Sequence, residues 1–377
     1  MKTKVFFVIP SLHQGGAERV ISILSNDLTE RGYQVFLVLL NASEHSYNLN
    51  PQVRIHYLND GTRSANVFNR IYNSFKTFRK LASLISKERP GNLISFTTSA
   101  NIWTGIMGNL FGISYMVSER SNPRRTVGVT SPPVQKLIRF LYKKAKAIVV
   151  PSRGIMTGLR NLKGFEGLSN FEIITNPVTE FKTFSLQRVH RRKYILSVGR
   201  LHPVKGFDRL IEAFRNAGLP DTDLLIVGEG SERKKLQKQI DESGLTSRVI
   251  LAGSKDNVQD YYKQAEFYVL SSQYEGYPNV LIEAMSLGCP VIAVDCDFGP
   301  REIIKHGENG LLIPQGNSKL LSASIKQLAN DEVLRSRFAT RGTAVAQLNS
   351  VEAVVGTWDS LITGETQFKS ALAETAS

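Results

Sequence analysis

Lys193-Tyr-Ile-Leu-Ser-Val-Gly-Arg200 is the stretch on which the fold turns. An apolar run broken by one serine and closed by Gly-Arg reads as a buried parallel strand opening into a loop. The same pattern has already run once through the chain, so position 193 is where it restarts. Toward the C-terminus, strand-like runs follow at Asp223–Val227, Val249–Leu251, Phe267–Ser271, Pro290–Val294 and Gly310–Ile313, with helical segments between them. Toward the N-terminus lie Val5–Ile9, a helix over about 17–31, Val35–Leu40, Leu93–Phe96, a helix over about 100–110, Ser114–Ser118 and Ala147–Val150. Ile173-Ile-Thr-Asn-Pro-Val178 closes that half. Alternation of this kind predicts two parallel α/β domains, each sheet covered by helices on both faces. The expected boundaries are 1–177, a linker at 178–192 that lacks periodicity, 193–350, and a last amphipathic helix at 351–363 carrying Val354, Trp358 and Leu361. The tail 364–377 is expected to be disordered.

The composition, 42% hydrophobic and 21% charged over 377 residues, is that of a globular chain large enough for two cores. Residues 1–176 hold 23 Lys+Arg and 9 Asp+Glu, so the entire net charge of +14 belongs to the first half. That surface suits nucleic acid, an anionic membrane or an anionic substrate, or is simply a solvated basic face. The two cysteines, Cys289 and Cys296, adjoin apolar runs without metal-type spacing and read as buried thiols in a reducing compartment. Val5–Ile9 is too short for an export signal. The charge-free stretch 90–118 is too rich in Asn, Ser, Thr and Gly to span a membrane. A cytoplasmic chain is therefore expected.

Chemistry concentrates in Glu275-Gly-Tyr-Pro-Asn-Val-Leu-Ile-Glu283. Gly276 and Pro278 leave Glu275 in a loop, put Pro278 in the first helical turn and Glu283 within the helix. The N–H groups of that turn, at Asn279 and Val280, favour a phosphate, while two carboxylates beside it suit polyol hydroxyls. Arg200 and Lys205 stand in the loop after the strand that ends at Val198-Gly199, the end of an open α/β sheet where ligands bind. Arg presents a fork and Lys a point charge to phosphate oxygens. Gly15-Gly16 opens the first helix and permits close backbone approach to a phosphate. Gly228, Gly230 and Gly253 end strands; they line a base and ribose or are plain strand-end turns. Two Asp-x-Asp triplets, Asp221–Asp223 and Asp295–Asp297, have no evident third hard ligand and read as turn aspartates, not a metal site.

The Glu275–Glu283 stretch resembles the E-x7-E signature of retaining glycosyltransferases of family 4, and the resemblance extends over nearly the whole chain. It implies the GT-B architecture, two Rossmann-like domains facing a cleft with the C-terminal helix crossing back to the first. It further implies that Arg200 and Lys205 grip the donor diphosphate, that Glu275 contacts hydroxyls of the transferred sugar and Glu283 the ribose, and that Gly299-Pro-Arg-Glu302 lies near the donor. No metal and no cofactor is implied, with a nucleotide sugar as co-substrate. Retention by a front-face pathway, in which the leaving phosphate oxygen helps take the acceptor proton, needs no carboxylate nucleophile. Many family members carry a histidine where this chain has Arg120, within Val117-Ser-Glu119-Arg120-Ser-Asn122-Pro-Arg124-Arg125. Glu119 and Arg120 then hold donor or acceptor, and Arg124 and Arg125 meet an acceptor diphosphate, or the loop is a salt-bridged structural one.

Residues 63–89 carry Phe68, Ile71, Tyr72, Phe75, Phe78, Leu81 and Ile85 at helical spacing among Arg70, Lys76, Arg79, Lys80, Lys87 and Arg89, with Glu88 the single acid. This basic amphipathic helix either packs on its own sheet or docks on an anionic membrane face, joined by Lys136, Arg139, Lys143, Lys144 and Lys146. The resemblance is to enzymes that extend polyprenyl-diphosphate-linked oligosaccharides, N-acetylgalactosaminyl transferases among them, and favours a UDP-linked hexose or N-acetylhexosamine over GDP-mannose. The competing readings are a same-fold sugar-nucleotide epimerase, a non-catalytic nucleotide-sugar-binding protein and a nucleic-acid-binding protein. The last lacks any recognition motif.

Overall fold

The computed structural model describes residues 3–13, 15–43, 47–60, 67–179, 181 and 183–365, with the side chains of 67–70 outside the description. Residues 366–377 of the tail expected at 364–377, and Arg63 of the basic segment, therefore lie outside the described residues, as do the side chains of Phe68 and Arg70. Two compact units partition the chain: 1–177 with 351–377, and 178–350.

The first unit runs β1 (Lys4–Ile9), α1 (Gly16–Glu30), β2 (Gln34–Leu39), β3 (Arg54–Tyr57), α2 (Val67–Glu88), β4 (Asn92–Phe96), α3 (Thr98–Phe111), β5 (Ser114–Ser118), α4 (Pro132–Lys144), β6 (Ala147–Val150), α5 (Arg153–Arg160) and β7 (Phe171–Ile173). All seven strands are parallel in the order β3-β2-β1-β4-β5-β6-β7, with β1 paired residue for residue to β2 from Lys4↔Gln34 to Ile9↔Leu39. Right-handed crossovers place helices of leftward connections on one face and of rightward ones on the other. Val5, Phe7 and Ile9 accordingly share a core with α1, while Ser95 on the opposite face bonds Asn101 of α3 at 2.8 Å. α3 packs against both α2 and α4.

α14 (Val351–Thr363) belongs to this first unit and packs on α1, as the crossing-back helix was expected to. Val354, Val355, Trp358 and Ile362 are buried there, with Leu361 partly buried beside them. Arg31 fixes its outer edge through Glu352 at 2.7 Å, and the Tyr33 hydroxyl donates to Asp359.

The second unit repeats the plan: β8 (Lys193–Val198), α6 (Phe207–Ala217), β9 (Thr222–Val227), α7 (Arg233–Glu242), β10 (Val249–Gly253), α8 (Val258–Gln264), β11 (Phe267–Leu270), α9 (Asn279–Ser286), β12 (Val291–Asp295), α10 (Pro300–Ile303), β13 (Leu311–Pro314), α11 (Ser318–Asn330), α12 (Glu332–Gly342) and α13 (Ala344–Leu348). Its parallel order, β10-β9-β8-β11-β12-β13, is the doubly wound order of dinucleotide-binding domains. Segment 178–192 lies along this unit: Ser185 N donates to Asp260, Val189 N to Gln264, and His190 meets buried Asp223 at 2.8 Å.

Three local differences from the sequence reading have physical causes. β3, absent from that reading, is a four-residue edge strand, half exposed and without an apolar run. β7 occupies 171–173, so Thr175-Asn-Pro lies beyond it, where proline could not join a ladder. Pro278 caps α9 instead of starting it, so the helix begins at Asn279, one residue later than expected.

Candidate functional site

In the second unit the strand order reverses between β8 and β11, and the loops leaving these two strands stand side by side at the switch point. Three bonds stitch them: Gln273 N to Val204 O at 2.7 Å, Ser271 Oγ to Lys205 O at 2.8 Å, and Gln273 Nε2 to Pro203 O at 3.0 Å. Gly206 at φ +64° closes the short 3-10 turn Pro203–Lys205. A β-carbon there would fall 2.3 Å from Ser271 O, so only glycine lets the loops approach this closely.

The result is a contact between residues 70 apart in sequence. Lys205 Nζ lies 2.7 Å from Glu275 Oε1, and the Ser272 hydroxyl donates to the same oxygen at 2.6 Å. Both charged side chains are largely shielded, at 20% and 12% exposure, which strengthens the pair relative to a surface one. Ser272, buried and three residues before Glu275, escaped the sequence reading; its position just past an apolar strand was the available signal. Arg200 is exposed in the β8 loop, and Lys205's methylenes lie over Gly199.

Gly228 and Gly230 have a packing reason to be glycine, and Gly253 a conformational one at φ +74°; a β-carbon on Gly199 would meet only ordinary contacts. The Gly199–Leu201 and Gly228–Gly230 segments run backbone to backbone, with Gly199 N bonded to Val227 O and Leu201 N to Glu229 O at 2.9 Å each. At Gly228, φ +141°, an added β-carbon would sit 2.0 Å from Gly199 O. Gly228 N donates to Gly253 O at 2.9 Å, so all four glycines occupy one tight set of strand ends at the ligand-binding edge.

Glu283 is buried within α9, its carboxylate 3.2 Å from Thr179 Oγ1 and 3.4 Å from the Tyr262 hydroxyl. Asn279 and Val280, in the first turn of the same helix, are half-buried. Glu275 N donates to Asp297 O at 3.1 Å, and Gly299, φ +91°, packs under the Gly276–Pro278 loop. Asp295 is engaged by Arg301 through two bonds of 2.7 and 3.0 Å. Asp223 lies at the amino end of β9, away from the ligand edge, and is held by Arg248 at 2.7 Å. Among the described residues no three His, Cys, Asp or Glu side chains converge as a metal site. Cys289 and Cys296 are free and buried, and burial pushes Cys296 up to about 12, with the Glu275 charge adding to it.

In the first unit, Gly15 is extended at the start of α1, and its N–H and carbonyl both bond the Tyr47 hydroxyl. The Glu18 carboxylate folds back over it, so close that a β-carbon on Gly15 would lie 2.2 Å from Oε2. Gly16 begins the helix. A carboxylate thus already occupies the neighbourhood of the helix start where a phosphate was expected.

Glu119 and Arg120 follow β5 and are both buried, pointing to different partners. Glu119 accepts from the Tyr142 hydroxyl, from Thr98 at 2.9 Å and from Asn101 at 3.1 Å. Burial nevertheless holds its carboxyl above the ordinary range, against the pull of those bonds. Arg120 lies against the rings of Phe96 and Trp358, 4.7 and 5.8 Å from their centroids, and donates to Asn176 Oδ1 at 2.8 Å. Burial lowers this guanidinium to about 9. Arg124 and Arg125 are exposed on a turn fixed by Asn122, whose Oδ1 accepts from Arg124 N at 3.0 Å. Asn176, Tyr142 and Thr98 were not legible as partners, being 21 to 56 residues from the groups they hold.

Comparison with known proteins matches residues 14–180 to the family model described as Glycosyltransferase Family 4 and residues 178–345 to that described as Glycosyl transferases group 1. The amylovoran biosynthesis glycosyltransferase AmsD of Erwinia amylovora is 27% identical, over 93% of this chain and 96% of its own. The N-acetylgalactosamine-N,N'-diacetylbacillosaminyl-diphospho-undecaprenol 4-alpha-N-acetylgalactosaminyltransferase of Campylobacter jejuni is 28% identical, over 91% and 95%. Among solved structures, HepE of Anabaena in complex with UDP superposes with a TM-score of 0.79 at 18% identity, covering 96% of this chain and 100% of that one. Two doubly wound units, each matched by its own half of the family pattern, and a terminal helix returned to the first, place the chain in the GT-B glycosyltransferases of family 4.

Proposed function

We propose that the protein is a retaining, metal-independent glycosyltransferase that moves a hexose or N-acetylhexosamine from a UDP-sugar to a sugar on a polyprenyl diphosphate, in the assembly of a surface polysaccharide or glycan. The observation that carries this reading is the meeting of Lys205 and Glu275 at the switch point of the second sheet. Departure of a nucleoside diphosphate needs fixed positive charge at its oxygens, and Arg200 and Lys205 supply it. Glu275, steadied by Ser272, holds hydroxyls of the transferred sugar, and Glu283 takes the ribose. Gly199, Gly228, Gly230 and Gly253 shape the floor under the nucleotide, Gly15 and Gly16 approach the donor phosphates once the Glu18 carboxylate turns away from Gly15, and the N–H groups of Asn279 and Val280 face the diphosphate. Without a carboxylate nucleophile, the leaving phosphate oxygen takes the acceptor proton on the same face as it departs.

Arg124 and Arg125 bind the acceptor diphosphate, while buried Glu119 and Arg120 set the course of their loop and act on acceptor or donor sugar through it. Support for a UDP donor comes from the HepE complex, and for a lipid-linked acceptor from the named activity of the Campylobacter relative. The reaction takes place at the cytoplasmic face of an anionic membrane, with the protein attached peripherally. Among the described residues no helix is long and apolar enough to cross a membrane.

Purified protein incubated with radiolabelled UDP- and GDP-sugars and a lipid extract should place label in the lipid phase from one UDP-sugar, and Lys205→Ala should cut that rate by about 100-fold or more. Donor epimerisation without transfer would assign the protein to the same-fold epimerases, and donor binding without turnover to non-catalytic sugar-nucleotide binders.

A further inference from the structure

Gly276-Tyr277-Pro278 joins the loop residue Glu275 to α9 and is itself neither strand nor helix. Its two ends are fixed, by Glu275 N on Asp297 O at 3.1 Å and by the start of α9 at Asn279. Gly276 has no side chain and Pro278 no N–H, which leaves Tyr277 as the side chain able to anchor the middle by a hydrogen bond. The Tyr277 ring packs on the core behind α9, and its hydroxyl reaches Asn349 Oδ1 at 3.1 Å, 72 residues along the chain.

α13 puts Asn349 where this bond can form. Asn349 follows Val345 by four positions and its N–H bonds Val345 O at 3.1 Å, so the two share one face of the turn. Val345 is buried in the core that holds Leu281, Ala284 and Met285 of α9, and α13 packs on α9. Asn349 is 1% exposed. Its Nδ2 donates to Val345 O at 2.9 Å; a carbonyl can only accept, so this bond fixes the amide and turns Oδ1 to the tyrosine. Burial raises the Tyr277 hydroxyl above its ordinary value, so it stays protonated and donates. The Asn349 carbonyl accepts from Val178 N at 2.6 Å, and the next residue, Thr179, bonds Glu283 at 3.2 Å. Residues 178–179 and 349, near the two ends of the second unit's chain, thus back the donor segment at its middle and at its far carboxylate.

We infer that Asn349 is a positioning residue for transfer: acting through Tyr277, it holds the loop that presents Glu275 to the donor sugar, a role resting on the donor contact proposed for Glu275 above. Shielded from water, the hydroxyl–amide bond is stronger than an exposed one, and it joins elements that no strand or helix ladder connects. Displacement of a positioned carboxylate by about 1 Å is enough to cost up to about 100-fold in rate. The loop after β8, with Arg200 and Lys205, has anchors of its own at Ser271 and Gln273, so its grip on a diphosphate does not depend on Asn349.

Steady-state transfer from UDP-sugars and calorimetric titration with UDP test this on the whole chain. Asn349→Leu, which keeps the volume and removes the acceptor, should lower kcat about tenfold and leave UDP affinity within about twofold. Tyr277→Phe should do the same, and the two together should cost no more than either alone, because they break one bond. Asn349→Asp keeps an oxygen facing Tyr277 and should restore kcat to within about threefold of wild type, although its carboxyl beside Val345 O lowers the melting temperature. That separation of rate from stability is decisive. Losses of kcat that follow the melting temperature through the series, or that add in the double variant, overturn the inference, as does a fall in UDP affinity equal to the fall in kcat. Should Asn349→Leu not fold, Tyr277→Phe keeps the ring and decides alone: wild-type kcat in that variant overturns the inference. Wild-type protein that binds UDP yet transfers from no UDP-sugar would sink the donor role of Glu275 and the role of Asn349 with it; full transfer by both variants would leave Glu275 standing and remove Asn349 alone.

Discussion

At the scale of single residues, the site depends on contacts that only a few ångströms decide. Glu275 Oε1 receives both Lys205 and Ser272, so removing the Ser272 hydroxyl frees the carboxylate to swing toward the cation while leaving the charges intact. Ser272→Ala is expected to lower kcat about tenfold with little change in UDP affinity, measured by steady-state kinetics and calorimetric titration; a loss of UDP affinity alone would assign Ser272 to the nucleotide. Glu119 gives a prediction with a sign. Burial raises its carboxyl above the ordinary 4.5, so the folded protein holds that proton more tightly than the unfolded chain does. The resulting stability is complete below about pH 4.5 and is lost as pH rises through the folded value. Glu119→Gln lacks this dependence, so in urea unfolding the wild type should lose stability relative to the variant as pH rises above 4.5. A constant difference up to pH 8 would mean that Tyr142, Thr98 and Asn101 keep the carboxylate ionised in the folded state.

At the scale of elements, α14 and the glycine turns carry the most. Trp358 is fully buried, 5.8 Å from Phe96 and against Arg120, so Trp358→Ala should cost about 3–5 kcal/mol, read from denaturant unfolding of the first unit. A cost below about 1 kcal/mol would mean that α14 is held by its Arg31 and Tyr33 contacts and not by its core face. Gly228→Ala must move the Gly199 carbonyl, and should lower donor affinity together with stability. α2 teaches a different lesson. Its apolar stripe is regular in sequence from Phe68 to Ile85, yet tertiary packing covers Leu81 and Ile85 and leaves Ile71, Tyr72 and Phe75 exposed. Periodicity reports which side chains share a face; where the sheet ends decides how much of that face is covered.

At the scale of the whole molecule, the two units have separate cores and separate sheets, and the first is completed only by residues from the end of the chain. A chain ending at Ser350 should therefore lose the first unit's calorimetric transition, or shift it down by many degrees, while the transition of the second unit is kept. Loss of both together would show that the units unfold as one. The sequence by itself determined the parallel α/β class, the restart at Lys193 and most strands, because buried parallel strands are written as contiguous apolar runs bounded by turn residues. β3 escaped since an exposed edge strand needs no such run. The candidate cations and glutamates were also legible, as residue types at strand ends. Only the tertiary structure decided what each one touches: Lys205 on Glu275, Glu283 with Thr179, Arg120 on Asn176 and Trp358, Glu18 over Gly15. Most of these pairings span tens to hundreds of residues, and strand order, which sets them, follows from the handedness and packing of crossovers and leaves no local trace in sequence.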